Sequence, residues 1–181
     1  MGWGADVLID DLPFLDAVSA RHFGKYRGRV VDNADPVSRG RVQVVVPALL
    51  AEQPVWALPC APYAGPNVGF FAMPPVGAGV WVEFEGGDLD LPIWSGCFWA
   101  DGEIASGDAA PSVKFWITDA VSIRIDDDAG EIVVKTSGAT LTLTASEITA
   151  DASTVTEKAM SSQITVSASG FDVNNGAFTV V

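Results

Sequence analysis

The chain has 181 residues, 49% of them apolar, with positive mean hydropathy and a formal net charge of −13 from 23 acids against ten lysines and arginines. That length holds one ordinary domain with an appendage, or two small domains, and the apolar content excludes wholesale disorder. The charge disfavours general nucleic-acid binding, because a phosphate backbone is gripped mainly through cationic side chains.

The acidic opening "MGWGADVLIDDLPFLDAV" lacks the basic start of a signal peptide, which points to synthesis in the cytoplasm without a secretory signal. No apolar run approaches the ~20 residues of a membrane span. Residues 1–25 predict a short amphipathic helix, with Leu12, Phe14, Leu15, Val18 and Phe23 at near-helical spacing. Asp10 or Asp11 would cap it and Pro13 would sit in its first turn. Its apolar face packs either on its own barrel or on a partner subunit.

A block of short strands follows over residues 26–99. "YRGRVVDN" (26–33) passes through the turn "ADPVSRG" into "RVQVVVP" (41–47), where Val42, Val44 and Val46 share one face. "PVWALPC" (54–60) is a third strand, and a Pro/Gly-rich excursion "APYAGPNVGFFAMPPVGAG" (61–79) comes next. In "VWVEFE" (80–85), Val80, Val82 and Phe84 alternate with Trp81, Glu83 and Glu85, and "LPIWSGCFW" (91–99) closes the set. Five antiparallel strands in so short a span match a small closed barrel of the OB type. Cys60 and Cys97 lie in apolar strand-like runs and read either as two buried free thiols or as a disulfide between neighbouring strands.

All prolines lie at or before Pro111 and all tryptophans at or before Trp116, so the chain changes character across a linker at residues 100–111. Residues 112–181 are strand-length pieces punctuated by "DDDAG" and "SG". They end in a Thr/Ser/Ala-rich tail with single aliphatic residues, as in "TLTLT" and "ITVS". One such chain would expose strand edges and an apolar face. Its β-prone pattern holds too few large side chains to enclose a core.

Two stretches carry a family resemblance. "GKYRGRVVDNADPVSRGRVQVVVP" supplies a first strand, an Asn-x-Asp-Pro turn and a Gly-Arg-Val strand. "WALPCAPYAGPNVGFFAMPPVGAGVWVEFEGGDLDLPIWSGCFW" supplies a Pro-Pro-x-Gly turn, a strand ending in Phe-Glu, a Gly-Asp turn and a Pro-x-Trp-x-Gly closing strand. In this order they resemble the phage baseplate assembly protein V and VgrG-type spike family of contractile tails, type VI secretion machines and other contractile injection systems.

The resemblance implies a mainly β chain: a short N-terminal helix, a five-stranded OB-fold barrel, and a C-terminal trimeric, intertwined β-helix spike. It implies a homotrimeric needle that pierces a target cell envelope when a sheath contracts, assembled into a virion tail baseplate or an injection-system particle. Three identical chains would bury Ile123, Ile125, Val134, Leu141, Leu143, Ile164 and Val166 along a shared axis. Phe14, Leu15, Val18, Phe23, Arg27 and Arg29 are the expected contacts to a baseplate hub protein. The apolar end Phe178, Val180 and Val181 is the expected contact to a separate PAAR-type tip protein. No peptidoglycan-cleaving domain fits in this length. The lone His22 supplies no His-x-His iron tip, so neither enzyme activity nor a cofactor is expected.

Other chemistry reads weakly. Asp126, Asp127 and Asp128, with Glu131, lack the alternate spacing of a calcium loop and read as a solvated acidic turn. Glu83, Glu85 and Asp88 have nothing to separate their acidities for hydrolysis. Arg27, Arg29, Arg39 and Arg41 cluster on the first two strands, for a subunit contact or for surface pairing. The rival function is an OB-fold oligosaccharide- or ligand-binding module with a β-solenoid oligomerisation tail, for which Trp81 and Trp94 are the candidate stacking residues.

Overall fold

Alternating valines close the first half of the chain into a barrel. The computed structural model describes residues 21–180 and divides after Glu103 into two units. In the first, β1 (Tyr26–Asp32), β2 (Val42–Val45), a one-turn helix α1 (Pro47–Leu50) and β3 (Val55–Pro59) are followed by a small ribbon. That ribbon is β4 (Ala64–Gly65) paired with β5 (Val68–Gly69); β6 (Gly79–Phe84) and β7 (Pro92–Phe98) follow it. The closed order is β1-β2-β3-β7-β6. The β3–β7 contact is parallel and the other pairings are antiparallel.

Period-two alternation puts Val30, Val42, Val44, Val46, Val80 and Val82 wholly inside, with Ala57 and Phe84 beside them. A small barrel has room for short branched side chains that keep one rotamer in a strand. At Gly28, where β1 passes closest to its neighbours, an added Cβ would stand 2.9 Å from a Val82 methyl and 3.2 Å from the Val45 carbonyl oxygen. The wall is thus buried on its inner face, while Gln43, Trp81 and Glu83 between the inward residues are only partly covered.

The turn between β1 and β2 is organised by one carboxylate. Asp35 accepts the backbone N–H groups of Val37, Arg39 and Arg41 at 3.1, 2.6 and 3.2 Å, and the Arg41 guanidinium at 3.0 and 2.8 Å. Arg41 in turn lies 5.1 Å from the centre of the Trp56 ring. The Arg41 charge, followed by the three backbone donors, holds the Asp35 carboxyl well below the usual carboxylate range against the opposing effect of burial. A depressed folded-state pKa stabilises the fold fully above the unfolded value, about 3.9. That stability is lost as pH falls from there towards the folded value. Asp35→Asn should therefore lower the barrel's thermal midpoint at neutral pH, and its deficit should shrink below about pH 4. Melts of both proteins across pH 2–7 would check this; a constant deficit would contradict it.

The second unit has two antiparallel meanders. β8 (Val113–Ile117), β9 (Ser122–Asp126), β10 (Glu131–Lys135), β11 (Ala139–Leu143) and β12 (Ile148–Ala152) pair in sequence order. So do β13 (Thr154–Ala159), β14 (Ser162–Ser167), β15 (Gly170–Val173) and β16 (Phe178–Val180). Three hairpin turns repeat one device. The backbone N–H groups of Thr118, Thr136 and Thr144 donate to the carbonyl oxygens of Val121, Ala139 and Glu147 at 2.8–2.9 Å. Each threonine hydroxyl oxygen accepts the N–H of the same residue, at 3.1–3.2 Å. The predicted "DDDAG" punctuation is the β9–β10 turn, where Asp126 accepts the N–H groups of Asp128 and Ala129 at 3.1 and 3.2 Å.

Two expectations need comment. The N-terminal helix, with Phe14, Leu15 and Val18, lies mostly outside the described residues, and residues 21–25 are not helical. Cys60 and Cys97 are free thiols but exposed rather than buried. Cys60 comes just after β3 and Cys97 just before the end of β7, beyond the covered part of the wall. The part of Cys97 that is covered pushes its thiol pKa up.

Candidate oligomerisation surface

Every buried residue among those described belongs to the barrel unit, so the second unit has strands without an enclosed core. Its register explains why. Across the first meander, Lys114 at the edge pairs with Ile125, Ile125 with Ile132, Ile132 with Leu143 and Leu143 with Ile148. One row over, Trp116 pairs with Ile123, Ile123 with Val134, Val134 with Leu141 and Leu141 with Ala150. Paired residues share a face, so these two rows make one apolar surface. The opposite face carries Arg124, Asp126, Glu131, Lys135, Thr140, Thr142, Thr149 and Asp151. Val113, Phe115 and Ile117 of the edge strand β8, and Val133, also fall there.

The second meander divides the same way. Val155, Val166, Phe171 and Val180 form one row, and Glu157, Ile164, Val173 and Phe178 form the next, all on one side. Thr154, Thr156, Gln163, Thr165, Asp172 and Thr179 take the other. Glu157 is the charged member of these two rows, as Lys114 is in the first meander, and sits on the edge strand β13, where an inward-pointing charge opposes unwanted strand pairing.

The sequence-predicted residues are divided between the two sheets. Ile123, Ile125, Val134, Leu141 and Leu143 share one face of the first sheet, and Ile164 and Val166 share one face of the second. Ile123, Ile125, Leu141 and Ile164 are 38–40% exposed in the single chain and Val166 51%. Sequence reading missed Trp116, Ile132, Ile148, Phe171 and Val173 on the same faces. Alternation back from Val134 within its own strand would have found Ile132. Phe178 and Val180 lie on the apolar side of the second sheet, with the Phe178 ring edge-on to Phe171 at 6.4 Å. Val181 is outside the described residues.

The polar face is tied to the preceding segment. Arg124 donates to Asp108 at 3.1 Å and lies 3.0 Å from Asp126. The two carboxylates, Asp108 foremost, push the guanidinium pKa up. The Ala129 N–H, followed by Arg124, lowers that of Asp126 against burial. Asp127 pairs with Lys114, which also donates to two carbonyl oxygens. Asp126 and Asp127 are thus engaged in turn-making and ion pairs, and no metal-holding cluster of His, Cys, Asp or Glu occurs among the described residues.

On the barrel, the predicted hub residues Arg27 and Arg29 point outward from β1, and Phe23 is 64% exposed. The Arg27 guanidinium lies 5.4 Å from the Trp81 ring centre and 5.0 Å from that of Phe98, and those two rings are themselves 5.0 Å apart. The Trp94 indole N–H donates to the Gly40 carbonyl at 3.3 Å, and its ring packs against the barrel core. Both tryptophans proposed for sugar stacking are therefore engaged by the barrel itself. Glu83 pairs with Lys25, and Asp88 with Arg21 at 3.5 Å. This ledge depends on Gly79, where an added Cβ would stand 2.6–3.0 Å from three carbons of the Phe98 ring. Gly79→Ala should displace Phe98, cost about 1–3 kcal/mol and alter Trp81 fluorescence. An unchanged melt and spectrum would contradict that packing.

Comparison with known families bears on both units. Residues 26–99 match the family described as the type VI secretion system/phage-baseplate injector OB domain. Residues 113–179 match the family described as the phage baseplate V C-terminal trimerisation domain. No curated protein matches the chain.

Proposed function

The chain belongs to the phage baseplate V family of spike proteins, and on that premise we propose that it is the central spike of a contractile injection machine. The family assignment supports self-association as a homotrimer and assembly into a tail or injection particle. The observation that carries the rest is the one-sided, uncored pair of sheets. Three copies would bring the rows through Ile123, Leu141, Ile164 and Val166 around a common axis, leaving threonines and charges outside. Burial of the faces and pairing of the edges then arise together, which is how an otherwise aggregation-prone strand series becomes a needle.

The role so proposed is mechanical and not enzymatic. Sheath contraction drives the needle into the target envelope, and rupture of the shaft would require many ladder hydrogen bonds to break together. High kinetic stability follows. The barrel belongs at the baseplate, with the hub reached through Phe23, Arg27 and Arg29 and through the preceding segment that contains Phe14, Leu15 and Val18. Residues 100–111 join barrel to shaft.

The apolar end at Phe178, Val180 and Val181 is proposed to carry a separate PAAR-type tip protein. Deleting residues 178–181 should abolish capture of that tip protein while the trimer persists, measured by co-purification. Retained capture would remove these residues from the contact. The function is tested by imaging assembled particles that carry an epitope on this chain. Label confined to the centre of the baseplate end supports the spike. Label along the sheath or tube, or none on the particle, overturns it.

A further inference from the structure

The excursion between β3 and β6 is the least protected part of the barrel unit. Residues 62–72 are all exposed, and they include Tyr63, Val68 and Phe71 at 59, 52 and 74%. They form the β4–β5 ribbon, with Ala64 opposite Gly69, Gly65 opposite Val68, and the Phe70 N–H donating to the Tyr63 carbonyl at 2.9 Å. Pro66 and Asn67 make its tip, Asn67 adopting φ 60° as the third position of a type II turn does. A ribbon with two residues per strand gains little from its own ladder. The Phe71 ring reaches Gly40, close to where a Cβ there would stand (3.5 Å), yet Phe71 remains mostly in solvent. An apolar arm that stays this exposed along its length is the signature of a surface that another molecule covers.

We propose that this arm, residues 61–71, docks on the adjoining barrel of a second copy of the same chain, so that the three barrels form a ring linked by exchanged arms. The inference rests on the trimeric reading above and adds an interface that the trimerisation domain does not contain. Two observations select a second copy as the occupant. No charged residue occurs between Cys60 and Glu83 in a chain whose net charge is −13. The arm is thus the part of the molecule that another equally acidic copy can approach without like-charge repulsion, whereas an arm made for a basic partner would carry acids. The trimerisation domain also tethers two further copies of the barrel to each arm. Tethering converts docking into an intramolecular event at an effective concentration on the order of millimolar. A patch that meets a different patch on the next subunit closes into a ring of three when the rotation allows it.

The test uses the full chain with the photoreactive residue p-benzoylphenylalanine placed singly at Tyr63, Val68 or Phe71. It is irradiated as the native oligomer, whose mass is measured first, and then boiled in denaturant before electrophoresis. The expected result is a trimer in which most of the arm-labelled chain shifts to bands of two and three chains. Label at Val37, an exposed residue of the β1–β2 turn, should leave the chain at the single-chain position. A trimer whose arm label yields no adduct, or adducts only within its own chain, overturns the proposal and leaves the spike reading standing. A monomer overturns both.

Discussion

Leu141→Asp should dissociate the assembled protein into single chains, while Thr142→Asp, one residue along the same strand, should leave it trimeric. The pair isolates face from strand, because Leu141 lies in the row with Ile123 and Val134 and Thr142 lies opposite with Val133 and Thr149. In a single chain Leu141 is 39% exposed, and that remaining surface is what association can bury. In the trimer the substitution removes apolar burial of about 1 kcal/mol per chain. It also leaves a carboxylate in a water-excluded seam, at a cost of several kcal/mol more. Three copies carry the defect at once, and about 1.4 kcal/mol is already tenfold in an association constant. Native mass measurement of the two variants decides the matter. Two trimers, or two monomers, would refute the assignment of faces.

Val82→Ala should cost the barrel about 2 kcal/mol through lost burial and the void left behind. That corresponds to a fall of about 10 °C in its thermal midpoint for a domain of this size. The core has few members: beyond six valines with no exposure it holds Ala57 and Phe84, so neighbours cannot collapse far into the gap. Val82 stands between Tyr26 on β1 and Trp94 on β7 in the register, and both of these pack against the core. The shaft draws on a different set of residues, so its resistance to detergent should be unchanged in the same variant. Calorimetry with electrophoresis of unboiled samples reads both. Loss of the two together would show that barrel and shaft fold as one cooperative unit.

Alternation made the barrel legible. Val80, Val82 and Phe84 announce their inward face because Trp81 and Glu83 stand between them, and Val42 and Val44 because Gln43 does, while the Gly and Pro residues mark the strand ends. The shaft was legible as strands and as faces, since Ile123 with Ile125 and Leu141 with Leu143 keep parity within each strand. What sequence alone did not yield is the register across hairpins. It depends on where each turn closes, and Thr118, Thr136 and Thr144 close three of them through hydroxyl contacts three residues on. Those threonines look like any other strand threonine in a Thr-rich tail, so the full rows through Trp116, Ile132 and Ile148 stayed hidden. The engagement of Arg27 with Trp81 and Phe98 was invisible for a related reason: Phe98 reaches that stack across Gly79, and nothing in linear order joins the two.

The most direct test of the account is the mass of the full chain in solution by light scattering, repeated in detergent without heating. The account predicts three chains of 18.9 kDa each, still associated in the detergent sample. A single chain of 18.9 kDa under non-denaturing conditions would contradict it.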